Sequence, residues 1–584
     1  MWGDRIATVV EIDIDTCTRT WGVAPCTASF GGAVTSKCYN TFPTCQAIPA
    51  FNKGVKTLRF CSPSFPIKTG NYIPALAGDV AGSEQEINIA GYKQNIGSLG
   101  VRASVKVRIK DFTDRDTLTD PYWEQRMNGS AQSNGIGYNP MDRGTFWTKF
   151  KARNPNYAGR PLRVITGRVS DVGVFIPEVT RSYVMTEMIG PGRAGEVTIN
   201  ASDILTLASD KMAQAPVVSR GRLREDITAN QTTAVLSPAG IGNSEYPAAG
   251  YATVGSEIIW FNRTGDNLTL IRARRGTSSS THSANDSLQL AYHVDRTRAD
   301  TVIYRLLTQY AKVPASYINL TEWRAEFDRW GSSLELSATI CKPTGVATLI
   351  GEINQLGITV WWDEVAQRIR IKLNHPPEET PAAWSDRNNI ISIEQEDNDD
   401  ERATRVAFWH VQIDPTKELN KDNFLRGYIN VFVDGEHARF YDESRTKTIY
   451  TRWLNHGSDS AAKIITGRLL NRYKIAPVTY NVAVDMKDNP SLADVVSLSS
   501  HVVTDINGLE VPVLTQVFYR KDDRNGSTVN VKLQRFQFDT RYGVITENTR
   551  PRYNASTQAQ KNKGTYIVGP SLVFADGRPA YQLV

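Results

Sequence analysis

The chain is 584 residues long, enough for roughly three to five domains. Its 40% hydrophobic and 22% charged residues belong to a globular protein with real cores, which excludes a disordered chain. The net charge of +6 comes from 67 basic and 61 acidic side chains mixed along the sequence, which argues against the basic stripe of a dedicated nucleic-acid binder.

The first residues, Met1-Trp2-Gly3-Asp4-Arg5, are charged and open no apolar signal core, and no window is long and apolar enough to span a bilayer. The sequence therefore reads as soluble, folded in a cytoplasm and without stable membrane insertion. Residues 5–16 alternate Ile6, Thr8, Val10, Ile12 and Ile14 with Glu11, Asp13 and Asp15, a period of two that predicts a half-buried strand ending at Cys17. From Cys17 to Cys61 the chain is rich in Gly, Pro, Thr and Ser, and residues 1–69 read as a Cys-rich segment that needs a cross-link to stay ordered.

Residues 70–215 read as a first β domain. Gly100–Lys110 alternates as a long strand, Leu162–Val174 alternates again, and Thr119–Asn139 reads as a loop with a short helix near Pro121–Arg126. Residues 216–296 read as an inserted small β-module, with strands at Ala252–Trp260 and Leu268–Arg272 joined by the turn Gly265-Asp266-Asn267.

Helical spacing then appears in residues 297–380, an α+β segment. Val302, Ile303, Leu306, Leu307 and Tyr310 predict one helix with Asp300 as N-cap and Pro314 beyond its end. Ala347 to Leu356 predict another, stopped by Gly357 and followed by a hairpin of Ile358–Trp362 and Arg368–Leu373 turning at Asp363-Glu364. Residues 381–538 read as a second β domain carrying a helix at Asp459–Tyr473 and a hairpin turn at Asp522–Gly526, and 539–584 as a C-terminal extension with an arm at Val573–Arg578. The fold class is mainly β with an α+β segment, in a multidomain chain.

Five of the six cysteines lie within the first 61 residues. Cys17 and Cys26 enclose eight residues, and Cys38 and Cys45 enclose six. Four thiolates of this kind can hold a metal centre that staples a segment too short to bury a core. No tight Cys-x-x-Cys knuckle of a zinc site occurs, and disulfides would strand one of five cysteines and need an oxidising compartment. Spacing alone leaves zinc and an iron–sulfur cluster both open. Cys61 follows apolar residues and reads as a core thiol, and the isolated Cys341 as a small buried residue.

The other constellations are weak. The acidic run Glu394–Glu401 lacks the rhythm of a calcium loop and reads as a solvated loop. The seven histidines, His282, His293, His375, His410, His437, His456 and His501, are scattered, and no hydrolase or phosphate-loop motif is present. Trp361, Trp362 and Trp409 read as core or interface anchors.

The two spaced pairs, with the wording Lys37-Cys38-Tyr39-Asn40-Thr41-Phe42-Pro43-Thr44-Cys45-Gln46 and Leu58-Arg59-Phe60, resemble the iron–sulfur domain of tail-tip proteins of long-tailed phages. Lambda tail-tip protein L exemplifies that family, and hubs of Mu-like siphophages of Pseudomonas are similar. The resemblance implies that Cys17, Cys26, Cys38 and Cys45 ligate a [4Fe–4S] cluster, with zinc as the alternative metal; Cys61 has no counterpart in the pattern. The module Gly250–Val294, with Gly255-Ser256-Glu257-Ile258 and Arg274-Arg275-Gly276-Thr277, is similar to a β-insertion of such hubs.

The same resemblance implies β-barrel hub domains and a homotrimeric ring that continues the tail tube of a siphophage. Such a baseplate or tail-tip hub closes the tube before infection and opens to release tape-measure protein and DNA. Its partners would be the distal tail protein, the tape-measure protein and a central tail fibre or other baseplate proteins, with DNA passing the lumen without sequence-specific binding. Its place would be the virion, after assembly in the host cytoplasm, and it would not be an enzyme. The rival classes are a tail-tip cell-wall hydrolase, which requires paired carboxylates or a Cys/His dyad, and a protein that binds a host receptor directly.

Overall fold

The computed structural model describes residues 5–535 except 65–66, 79, 81–83, 94–96, 98, 210–212, 333, 376, 378–379, 398, 433–443, 456, 489 and 524–527. The expected C-terminal extension, the arm at Val573–Arg578, the middle of the turn at Asp522–Gly526, His437 and His456 lie outside the described residues. The chain divides into two units. One comprises Met1–Gln85, Arg102–Leu207 and Trp362–Ile369, the other Glu86–Val101, Ala208–Trp361 and Arg370–Val584.

The first unit is built on a seven-stranded sheet. Its strands are β1 (Arg5–Cys17), β2 (Lys53–Cys61), β3 (Tyr72–Ile73), β4 (Ser104–Lys110), β5 (Pro161–Val169), β6 (Phe175–Ile189) and β7 (Glu196–Ser202). Their order across the sheet is β3-β2-β1-β5-β6-β7-β4. The 13-residue β1 lies inside this order, antiparallel to β2 and β5, so Ile12 stands between Leu58 and Leu162. The sheet thus runs across residue 69, the boundary expected for a separate Cys-rich segment.

One face of this sheet carries the core: Ile12, Phe60, Val107, Leu162 and Ile199 are buried with Phe146, Trp147 and Phe150 of the helix α2 (Phe146–Arg153). Trp147 stacks on Phe60 at 5.6 Å and meets Phe150 edge-on at 5.1 Å. Each such aromatic contributes about 1.5–3 kcal/mol by leaving water. The strict alternation of Val105, Val107 and Ile109 with exposed residues makes β4 a half-buried strand, shorter than the expected run from Gly100. In β1 the pattern holds at Val10, Ile12 and Ile14 but fails at Ile6, which is exposed, while Ala7 and Val9 are buried.

The opposite face of the sheet at β1 forms an ionic ladder instead. Glu11 accepts from Arg59 at 2.9 Å and Arg163 at 2.8 Å, and Asp13 takes both outer nitrogens of Arg163 at 2.7 Å. Cross-strand pairs of this kind fix register as well as adding stability.

The second unit contains a six-stranded sheet ordered Arg222–Leu223, Thr233–Ser237, Asn267–Ile271, Glu257–Thr264, Ala249–Val254, Leu288–Leu290. The expected single strand Ala252–Trp260 is therefore two strands of a hairpin. It turns at Gly255, whose φ of +58° suits glycine, and the register pairs Val254 with Glu257. A larger sheet orders Ala382–Ser385, Val495–Ser499, Val513–Asp523, Thr528–Arg535, Val478–Asp485 and Ile390–Asp397 along its path. The first half of the acidic run expected as a solvated loop is the end of the edge strand Ile390–Asp397, and a short turn follows at Asp399–Glu401. Its exposed side chains keep their water while the backbone pairs with Val478–Asp485.

Helices follow the expected spacing with two changes. The first runs Ala299–Arg305 and continues as a π turn, Leu306–Tyr310. Asp300 is inside it rather than capping it, buried and gripped by Arg298 at 2.9 and 2.7 Å. A second helix, Leu320–Trp330, was not expected; Asn319 caps it and Trp323 and Phe327 fill its buried face. Val346–Asn354 and Asp459–Tyr473 form as the sequence predicts, as does the hairpin Ile358–Asp363 with Arg368–Leu373. Among the described residues no helix is long and apolar enough to cross a membrane.

Candidate metal centre

Cys17 closes β1, and its N–H donates to the carbonyl of Asn40 at 2.9 Å, tying the strand end to the Cys38–Cys45 loop. Asn40 adopts φ +61°, a conformation that Asn tolerates better than most residues. The next residues wind into a single turn, Phe42–Thr44, and the N–H of Cys45 donates back to Phe42 at 3.1 Å. Thr44 Oγ1 accepts from the N–H of Tyr39 at 3.1 Å and meets Thr41 Oγ1 at 2.9 Å, so the loop folds around its own hydroxyls. The N–H of Cys26 donates to Val23 at 2.9 Å in a tight turn.

These four positions come together. Cys17, Cys26, Cys38 and Cys45 line one pocket with Arg19, Trp21, Thr41, Gln46 and Phe51, and no lining residue is Asp, Glu or His. None of the four is in a disulfide. Burial pushes the Cys38 thiol up; a hydrogen bond from the backbone N–H of Asn40 opposes this, and the neighbouring charges of Cys45, Cys17 and Cys26 add to the rise. Four thiolates so placed repel one another unless a cation joins them. The donor set, sulfur alone, suits iron–sulfur or zinc chemistry and not calcium or magnesium. Among the described residues, however, no group of three or more His, Cys, Asp or Glu side chains is gathered as the ligands of a metal ion are.

The loop is held from outside by an arm within Thr119–Asn139, which carries the short helix α1 (Trp123–Met127). The N–H of Lys37 donates to Ala131 and that of Ser133 to Thr35, both at 3.0 Å. Arg126, fully buried, pairs with buried Asp120 at 2.5 Å and donates to the carbonyls of Lys37 at 2.8 Å and Cys38 at 2.7 Å. The ring of Tyr39 lies between the guanidinium groups of Arg126 and Arg153, at 3.8 and 3.9 Å. Tyr122 accepts the N–H of Trp21 at 2.7 Å, and the Lys37 ammonium sits over both rings. The arm is tightly threaded: a Cβ at Gly137 would lie 1.9 Å from the carbonyl oxygen of Met127.

Cys61 and Cys341 lie elsewhere. Cys61 is buried on β2 opposite Val9, and Cys341 packs against Tyr251 and Ile258. Burial pushes the Cys341 thiol up to about 12, the opposite of what an activated nucleophile requires. Sequence reasoning named the four cysteines but missed Arg126, Tyr39 and the arm. Only the short apolar-and-aromatic stretch Pro121-Tyr122-Trp123 hinted that this loop packs against something.

No family model and no curated protein matches the sequence. Solved structures to which the chain is similar include a tail protein from Neisseria meningitidis MC58, at 11% identity and TM-score 0.35 over 78% of this chain and 91% of that one. A prophage tail protein, gp18, from Listeria monocytogenes EGD-e gives 9% identity and TM-score 0.32 over 83% and 91%. The 43 kDa tail protein of prophage MuSo2 from Shewanella oneidensis gives 9% and 0.34 over 79% and 93%. At these TM-scores and identities the likenesses carry neither fold nor function.

Proposed function

We propose that this chain is a structural hub of a siphophage tail tip whose amino-terminal loop is stapled by a [4Fe–4S] cluster on Cys17, Cys26, Cys38 and Cys45. The observation that carries the reading is the shared pocket of these four free thiols, at the spacing of eight and six residues found in the tail-tip family. When bound, the cluster supplies four metal–thiolate bonds between a strand end and three loop positions. The chain's own residues do the rest: β1 sets Cys17, the turn Phe42–Thr44 sets Cys45, and Arg126 fixes the carbonyl of Cys38.

In this reading the protein assembles as a homotrimer. The ring continues the tail tube, meets the distal tail and tape-measure proteins, and opens for DNA release. Anaerobic purification with iron and sulfide analysis tests the centre, and the molar mass of the assembly in solution tests the ring. A colourless zinc protein would overturn the first, and a strictly monomeric chain the second.

A further inference from the structure

A second cavity, of about 290 Å³, opens beside the cysteines in the first unit. Its walls are mostly carbon: Ile14 of β1, Phe42 and Phe51 of the cysteine loop, Phe150 of α2, Tyr157 and Met185. Thr41 and Phe51 line both this cavity and the thiol pocket. Three charged groups stand among its lining residues. Asp15 pairs with Lys53 at 3.2 Å and with Arg160, so two cations face one carboxylate and leave one positive charge in excess. An apolar hollow of this volume with a few polar groups at its edge is the usual form of a binding site. Its surroundings are larger than a small molecule needs: Phe42 on the wall itself is 47% exposed, and Val55, two residues along the strand from Lys53, 61%. Exposed apolar side chains beside a pocket mark a surface that another protein covers.

We propose that this cavity receives an aromatic or branched apolar side chain of a partner polypeptide, with an adjacent carboxylate meeting Lys53 and Arg160. The apolar group fills the space between Phe42, Phe51 and Phe150, in the manner of a buried anchor at an interface. The carboxylate takes the charge that Asp15 leaves uncompensated. Phe42 and Phe51 belong to the cysteine loop, so the site rests on that loop being folded, and the test below reads the cluster and the binding separately.

The test uses the full chain and three probes in ligand-observed NMR: N-acetyl-L-phenylalanine as its carboxylate, its uncharged amide, and N-acetyl-L-aspartate. The visible spectrum and melting curve of the same sample are recorded, so loss of the cluster or of the fold is read separately from loss of binding. The expected result is that the phenylalanine carboxylate binds about five-fold more tightly than the amide and the aspartate derivative not at all. Lys53→Gln, an exposed change, abolishes that preference and leaves the amide unaffected; Phe42→Ala weakens both phenylalanine probes. Equal binding of carboxylate and amide, an unchanged preference in Lys53→Gln, unchanged binding in Phe42→Ala, or no binding to folded wild-type protein would each overturn the proposal.

Discussion

The guanidinium of Arg126 donates to the carbonyl oxygen of Cys38 at 2.7 Å, so a residue buried in one loop fixes the backbone of a thiol in another, 88 positions away. Its charge is balanced by Asp120, and both side chains are fully buried. Breaking such a pair leaves the partner charge without compensation, at a cost of about 3–5 kcal/mol. Arg126→Met should therefore lower the melting temperature of the first unit and reduce its metal content together. Arg126→Lys keeps the charge but not the fork and should fall between. Differential scanning calorimetry with metal analysis on the same samples checks this, and full metal loading in a strongly destabilised Arg126→Met would refute the coupling.

The cysteines divide into two classes by position. Cys17→Ser or Cys38→Ser should remove the metal and yield poorly assembled, non-infectious tails, while Cys61→Ser and Cys341→Ser should leave metal content unchanged because those thiols are buried in strands and core. Metal analysis of all four variants separates the classes; equal loss from Cys61→Ser would mean that the ligand set is different.

Asp203 gives the first unit a pH-dependent weakness. Burial pushes its carboxyl up to about 7, against the pull of the Arg102 guanidinium, and its Oδ1 lacks a hydrogen-bond partner. The folded protein thus holds a proton that the unfolded chain releases near 3.8. Stability should fall as pH rises between those two values and level off above 7. Asp203→Asn should remove that slope and add about 1–3 kcal/mol at pH 8. Denaturant midpoints from pH 4 to 8 decide it, and parallel curves for wild type and variant would show that the carboxyl is ionised throughout.

Glu257 behaves in the opposite sense. Burial pushes its carboxyl up, but hydrogen bonds from Arg272, His282 and the N–H groups of Ala273 and Ser280 bring it down to about 2. Its stabilising contribution is complete above the unfolded value of 4.5 and is lost as pH falls toward 2. Glu257→Gln should cost about 2–3 kcal/mol at neutral pH and little at pH 2. Tryptophan fluorescence of Trp260, on the strand that carries Glu257, reports the loss; an acid transition unchanged by the substitution would exclude this role.

Where one period governed a segment, the sequence showed the element plainly. The second half of β1, from Val10 to Ile14, the alternation of β4 and the helix Asp459–Tyr473 are cases in which apolar spacing and burial agree. The hairpin at Gly255 was hidden because Val254 and Ile258 are both buried, so a two-residue turn interrupts an apolar run without breaking its composition. Helix Leu320–Trp330 was missed because only Trp323 and Phe327 are buried on it, although the Asn319 cap was present to be read. At the candidate centre the thiols were visible by spacing. Arg126 was not, because its two carbonyl acceptors lie 88 and 89 residues away and no local pattern records a contact of that range.

The most direct test of the cysteine centre is quantification of iron and acid-labile sulfide, with the visible spectrum, in anaerobically purified protein. The account predicts a brown protein with about four iron and four sulfide per chain, lost in Cys17→Ser. A folded, colourless protein containing neither iron nor sulfide would contradict it.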